Sequence, residues 1–190
     1  MSIILASGSP RRKELLEMLE VNDLKIIPAK GEECPPSGAG PEETVKALSM
    51  QKAREVAAFA GDGDIVIAAD TIVWFADKIY GKPRSEAEAK RMLSELSGHT
   101  HQVYTGVTVI SGGRVICECE VSHVHFRELS ESEIDRYILT GEPMDKAGSY
   151  GAQGKGALFV KGIDGDFFNV MGLPLCRLDS MLKKVGFNLI

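Results

Sequence analysis

Ile65-Val66-Ile67-Ala68-Ala69 is an unbroken apolar run that stops at Asp70-Thr71. Successive side chains of a strand point to opposite faces, so a strand covered on one side alternates apolar with polar residues. A strand without that alternation suits a sheet buried on both faces, and the remaining sequence has to supply the cover. Thr71 to Phe75 extends the strand, and Asp77 to Tyr80 turns back along it.

The segments around this run supply helices and further strands. Ile3 to Ala6 reads as a short strand, and Ser7-Gly8-Ser9 as a turn. A helix follows from Pro10 to Leu19, with Ser9 at the N-cap and proline at the first helical position. Leu24 to Ile27 is a second strand, and Glu33 to Gly40 a loop. A helix from Pro41 to Ala60 carries Val45, Leu48, Ala53 and Val56 on its inner face. Ser85 to Leu96 and Ser130 to Thr140 both open with serine and early acidic residues, a helix-start signature. Val103 to Ile110 and Val115 to Phe126 form a hairpin through Ser111-Gly112-Gly113-Arg114. Gly151 to Gly156 reads as a glycine-rich loop, Ala157 to Lys161 as a strand and Pro174 to Val185 as a closing helix. The expected fold class is mixed α/β (α+β): one curved mixed sheet flanked by helices, in a single domain over residues 1–190 that carries two lobes.

Composition narrows the function. The chain has 44% hydrophobic and 26% charged residues and a net charge of −5, an ordinary globular balance. Nucleic-acid binders draw affinity from clustered Lys and Arg, so stable nucleic-acid binding is not expected, whereas a small anion needs only a few placed cations. No apolar run approaches the ~20 residues of a membrane span, and Ile3 to Ala6 is too short for a signal-peptide core. Cys34, Cys117, Cys119 and Cys176 form no CxxC pair. Reduced thiols in the cytoplasm are expected.

Four segments carry candidate chemistry. Ser7-Gly8-Ser9-Pro10-Arg11-Arg12 ends a strand and opens a helix with two arginines in its first turn. Helix N-termini favour anions, so cations there are misplaced unless something negative binds between them; arginine forks also match phosphate oxygens. The plainer account is a cap followed by solvated arginines. Asp70 closes the apolar run where a strand emerges, a position suited to a catalytic carboxylate or a hard-cation ligand, or simply to ending a strand. Glu33, Lys52 and Lys82 are each readable as surface charges. Pro143 to Gly156 contains Gly148, Gly151, Ala152, Gly154 and Gly156, which would let backbone approach a ligand or merely make a tight turn, and Gln153 can read a base edge. The i,i+2 pairs His99/His101 and His123/His125 each share a strand face, but no cysteine or acidic residue at metal-ligand spacing accompanies them, so a structural zinc is not expected.

The order of these motifs is more specific than any one of them. Ser-x-Ser-Pro-Arg-Arg, Glu-Glu, Gln-Lys-Ala, Ala-Asp-Thr, Gly-Lys-Pro, Leu-Ser-Gly-His-x-His-x-Val, Glu-Pro-Met-Asp-Lys-Ala-Gly and Val-Met-Gly-Leu-Pro follow one another from Ile3 to about Pro174. This series closely resembles the Maf family of nucleoside triphosphate pyrophosphatases. The resemblance implies a Maf/ITPase-like fold with a central cleft between two lobes. It further implies hydrolysis of a pyrimidine triphosphate to the monophosphate and pyrophosphate. Asp70 would take the catalytic acid/base position, joined by Glu33, Lys52 and Lys82, with Ser9, Arg11 and Arg12 on phosphate. Mg²⁺ or Mn²⁺ would be held by Glu33 and Asp70. Members resembling the 7-methyl-GTP type carry Trp, Gln and Glu where this chain has Arg11, Thr71 and Gln153, so the latter set resembles the dTTP/UTP branch. Glu33 is chosen over its neighbour Glu32 by position alone, and Asp70 is readable as base or as metal ligand. A non-catalytic nucleotide-binding regulator of cell division is the competing reading, though it would not need Asp70 and Glu33 beside the phosphate residues. If the chain self-associates, a homodimer is the base-rate form.

Overall fold

The computed structural model describes residues 1–189. Its strands are β1 (Ile3–Leu5), β2 (Leu24–Ile26), β3 (Ile65–Phe75), β4 (Lys78–Tyr80), β5 (Thr100–Ser111), β6 (Arg114–Phe126) and β7 (Val160–Asp164). Its helices are α1 (Pro10–Met18), α2 (Pro41–Ala57), α3 (Glu86–Leu96), α4 (Glu131–Ile138), α5 (Phe167–Met171) and α6 (Leu175–Lys184). Among the described residues the strands form a mixed seven-stranded sheet in the order β2-β1-β3-β5-β6-β7, with β4 paired to β3. β1 runs parallel to both β2 and β3, placing Leu5 opposite Ile26 and Ile67; β4 and β7 run antiparallel to β3 and β6. The mixed α/β class is therefore observed.

The chain divides into two compact units, and three of the four boundaries fall inside β3, β5 and β6, the fourth at the end of α5. The first contains residues Met1–Asp70, Thr105–Glu120 and the chain from Gly172 onward; the second contains Thr71–Tyr104 and Val121–Met171. Each has its own apolar cluster. In the first, Ile4, Ala6, Val66 and Ala68 of the parallel strands pack with Ala53 and Val56 of α2. In the second, Ala89, Met92, Leu93 and Leu96 of α3 meet Ile134, Tyr137 and Ile138 of α4 around Val103, Val124 and Phe126. The 3- and 4-residue spacings of these positions give each helix one apolar stripe. Burial of each large side chain contributes about 1.5–3 kcal/mol.

Local signals account for most helix boundaries. α2 starts at Pro41 after Gly40, with Glu42 and Glu43 in its first turn and Arg54 in its last. Ser85 caps α3 by accepting from the Glu88 N–H, and Ser130 forms a full capping box with Glu133 at α4. Two sequence expectations need correction. Ser9 stands at the N-cap of α1, yet its side chain makes no capping bond. The strand expected from Ala157 begins only at Val160, because Gly154–Phe159 coils into a 3₁₀ helix. The cause is Glu142, whose carboxylate accepts from the Lys155 and Gly156 N–H groups at 3.1 Å each, fixing a helical turn where strand pairing would have begun. α5 and the 3₁₀ turns at Glu142–Asp145 and Ala147–Ser149 have no counterpart in the sequence reading; they are too short for periodicity to show.

One close approach fixes α2 on the hairpin. A methyl group at Gly106 of β5 would lie 2.3 Å from the Val45 carbonyl oxygen, so only glycine fits. Beside it, Ser49 Oγ and Thr108 Oγ1 share a buried hydrogen bond of 2.9 Å. The helix that carries Lys52 is thereby held against β5 by backbone contact as well as side chains.

Candidate active site

Asp70, Lys52 and Glu33 come together within the first unit. Asp70 ends the buried half of β3, with 10% of its side chain exposed. Lys52 reaches it from α2, with Nζ 2.6 Å from Asp70 Oδ1. The same ammonium lies 2.8 Å from Glu33 Oε1. Two carboxylates thus converge on one cation. The geometry also separates the adjacent glutamates: Glu33 presents its carboxylate to Lys52, whereas the Glu32 carbonyl accepts from the Gln51 side chain.

The turn before α1 provides the second component. Ser7 is buried, and its hydroxyl accepts from Arg12 Nη1 at 3.1 Å and from the Ser9 N–H at 3.2 Å. Arg12 Nε donates to the Gly172 carbonyl at 2.7 Å. Burial lowers the Arg12 pKa; Asp70 opposes that shift, Arg11 adds to it and Glu33 also opposes it, so these four charges share one electrostatic neighbourhood. Arginine keeps its proton through such a shift. The first turn of α1 contains no acidic residue, so the positive end of the helix dipole and Arg11 and Arg12 reinforce one another. Sequence points to Ser9 as a phosphate ligand; the contact of Ser7 with Arg12 is a finding of the structure, signalled only by a serine close behind a buried strand, and the Gly172 contact, 160 positions away, has no sequence signal.

Thr71, Lys82 and Gln153 belong to the second unit. Thr71 follows Asp70 in β3 and therefore points to the opposite face. Lys82 and Gln153 are exposed. The glycines around Gln153 serve the loop's own packing. A methyl at Gly156 would lie 2.5 Å from the Gly151 carbonyl oxygen and 2.6 Å from the Tyr137 hydroxyl; one at Gly154, whose φ is +75°, would meet the Glu142 carboxylate at 2.9 Å. The tight-turn account of this segment therefore explains these glycines without a ligand.

The histidine pairs separate by burial. His101 is 1% exposed, bonds Tyr150 Oη through Nε2 at 2.8 Å and has its pKa pushed down to about 3, chiefly by burial. His125 bonds Asp164 and Thr100, and His123 bonds Gln102. Among the described residues no group of three or more His, Cys, Asp or Glu is arranged as a metal cage. The four cysteines are free thiols, and no described helix is long and apolar enough to cross a membrane.

Comparison with solved structures places the fold first. The structure of a HAM1 protein from Coxiella burnetii aligns with a TM-score of 0.55 over 97% of this chain and 99% of that one, at 18% identity. Sequence then gives the family: a family model described as Maf-like protein matches residues 2–185. The chain belongs to the Maf family. A Bacillus cereus (strain AH187) relative named dTTP/UTP pyrophosphatase is 52% identical over 186 residues, covering 98% of this chain and 96% of the relative. A relative of the same name from Bacillus thuringiensis subsp. konkukian (strain 97-27) is 51% identical over 186 residues, with the same coverage.

Proposed function

We propose that this chain is a nucleoside triphosphate pyrophosphatase that hydrolyses dTTP and UTP to the monophosphate and pyrophosphate. The observation that carries the reading is the convergence of Asp70 and Glu33 on Lys52, in the same unit as the arginine-bearing N-terminus of α1. It is supported by identities of 50–52% to relatives named for that activity.

In the reaction a water oxygen bonds to the α-phosphorus while the bond from that phosphorus to the bridging oxygen of the β-phosphate breaks. The water's proton is lost, and pyrophosphate departs. Arg11 and Arg12, with the α1 N-terminus and the Ser9 hydroxyl, bind the phosphates; Ser7 keeps the Arg12 fork in place. Asp70 offers Oδ1 to Lys52, leaving Oδ2 to orient the attacking water and take its proton. Lys52 holds the two carboxylates at fixed spacing and offsets their repulsion. Much of the acceleration in phosphoryl transfer comes from such positioning and charge stabilisation. For Lys82, Thr71 and Gln153, which lie in the second unit, the support is the motif resemblance alone: it implies a phosphate role for Lys82 and a part in pyrimidine preference for Thr71, Gln153 and Arg11. The Gln153 amide complements the O4/N3–H edge common to uracil and thymine.

The donor set suits a hard divalent cation. Asp70 and Glu33 supply two carboxylates already turned toward one positive centre, and Mg²⁺ sites commonly combine one or two carboxylates with substrate phosphates and water. Mg²⁺ or Mn²⁺ held there would neutralise phosphate charge and lower the pKa of water, and Asp70 would then act on the water as a metal ligand in place of its role as a free base.

The test is pyrophosphate release from a panel of nucleoside triphosphates with Mg²⁺ or Mn²⁺, beside Asp70→Asn. Release from dTTP and UTP that falls at least 100-fold in kcat in the variant is expected, since general acid–base catalysis contributes on the order of 10²–10⁴. A variant that keeps most of its kcat would remove Asp70 from the mechanism, and turnover confined to purines would overturn the substrate reading.

A further inference from the structure

Glu33 lies in a stretch that neither apolar packing nor regular secondary structure holds in place. Residues 31–38 are exposed and carry no helix or strand, and 55% of the Glu33 side chain is open to solvent. Ordering an exposed backbone costs about 1–2 kcal/mol per residue, and no apolar burial offsets it here. Yet Glu33 meets Lys52 at 2.8 Å.

Two α2 side chains hold the loop by its backbone. Glu55 accepts from the Lys30 N–H through Oε1 at 2.7 Å and from the Gly31 N–H through Oε2 at 3.0 Å. Gln51 donates to the Glu32 carbonyl and accepts from the Cys34 N–H at 3.2 Å. The Gln51 bonds bracket Glu33 on both sides, and the Glu55 bonds secure the approach to it. Residues 51 and 55 share one face of the helix through their i,i+4 spacing. Lys52, the next residue after Gln51, is turned about 100° around the axis, toward Asp70. Gly31 is matched to this clamp, since a methyl there would lie 2.8 Å from Glu55 Oε2. The two backbone N–H groups hold the Glu55 carboxyl below its usual pKa, so it remains an ionised acceptor.

We propose that Gln51 and Glu55 are positioning residues that clamp residues 30–34 onto α2, so that the Glu33 carboxylate is delivered to Lys52 and Asp70. Their effect on turnover passes through Glu33 alone. This rests on the pyrophosphatase reading above. They act through the loop and not on substrate in this account, substituting for the packing the loop lacks.

The experiment compares wild type, Glu33→Gln, the pair Gln51→Ala/Glu55→Ala, and all three changes combined. It follows dTTP pyrophosphate release at saturating Mg²⁺ or Mn²⁺ and amide hydrogen exchange without nucleotide. Glu55→Gln, which keeps the side-chain shape and one acceptor, is included in case the pair folds poorly. The expected result has three parts. Exchange at the Lys30, Gly31 and Cys34 amides accelerates at least tenfold while α2 amides around Ala53 stay protected. The pair reproduces the kcat and KM pattern of Glu33→Gln. The combined variant is within twofold of Glu33→Gln alone. A pair that slows turnover by the same factor with or without Glu33 overturns the inference, because the clamp would then act elsewhere. So does a pair that frees the amides and leaves the rate unchanged while Glu33→Gln is slow; the active-site reading survives in both cases. Wild-type turnover by Glu33→Gln overturns the inference and the assignment of Glu33 while the pyrophosphatase reading stands; a wild-type protein that releases no pyrophosphate from dTTP removes that reading instead.

Discussion

Replacing Gly106 by alanine tests the packing that seats α2. The new methyl would sit 2.3 Å from the Val45 carbonyl oxygen, 2.4 Å from its carbon and 2.8 Å from the Lys46 nitrogen. Non-bonded heavy atoms settle near 3.5–4.0 Å, so α2 and β5 must separate by roughly 1 Å. The three nearest atoms are all backbone, so rotating a side chain cannot relieve these contacts. Overpacking of this kind costs about 1–3 kcal/mol, and backbone on both sides argues for the upper end. For a chain this long, 1 kcal/mol moves Tm by about 2–4 °C, so the loss should be roughly 6–12 °C. Turnover should suffer too, because α2 carries Lys52 to within 2.6 Å of Asp70 and a 1 Å misplacement can cost about 100-fold. The assay is calorimetric Tm together with dTTP turnover at 20 °C. Gly162→Ala is the control: a methyl there meets only His125 Cδ2, at 3.7 Å, and its φ is not in the left-handed region. Its Tm should stay within about 2 °C of wild type. A Gly106→Ala protein with wild-type Tm and wild-type rate would refute the argument that this contact seats the helix.

Three further outcomes are expected. Burial holds the His101 pKa near 3 against an ordinary 6.5, so between those values the unfolded chain gains a proton that the folded chain refuses, and stability falls as pH drops. That one group should remove about 2 kcal/mol between pH 7 and pH 5. In His101→Phe/Tyr150→Phe, which removes both partners of the buried hydrogen bond, denaturant titrations should show a correspondingly flatter pH dependence over that range, and an unchanged slope would contradict the assignment. Gln153→Glu should weaken UTP and dTTP turnover relative to other nucleotides, since a carboxylate cannot donate to O4; an unchanged substrate ranking in the pyrophosphate panel would remove Gln153 from base recognition. Ser130→Ala breaks the α4 capping box and should cost about 1 kcal/mol, read as a Tm lower by about 2–4 °C.

The sequence by itself determined what depends on near neighbours. The unbroken run from Ile65 to Ala69 specified a strand buried on both faces, because a strand's facing pattern is written in consecutive residues, whereas Asp70, which closes the run, proves to lie in mid-strand as β3 continues to Phe75. Gly40-Pro41, Ser85 and Ser130 specified helix starts, because a cap lies within four residues of the N–H groups it serves. The motif order alone carries the Maf resemblance. Tertiary structure decided what depends on partners distant along the chain. Glu32 and Glu33 are chemically identical in sequence, and only the position of Lys52, 19 residues later, separates them. Ser7 supports Arg12 because the Gly172 carbonyl fixes the guanidinium from the far end of the chain. Gly154 and Gly156 are required by Glu142 and Tyr137, partners from another segment, and the Glu142 bonds to the Lys155 and Gly156 N–H groups move the start of β7 from Ala157 to Val160. Gly106 gave no sign within its strand, because its constraint is the Val45 carbonyl on another element. Periodicity and capping are set over a few residues, whereas the partner of a polar side chain is set by which segments the packed core brings alongside it.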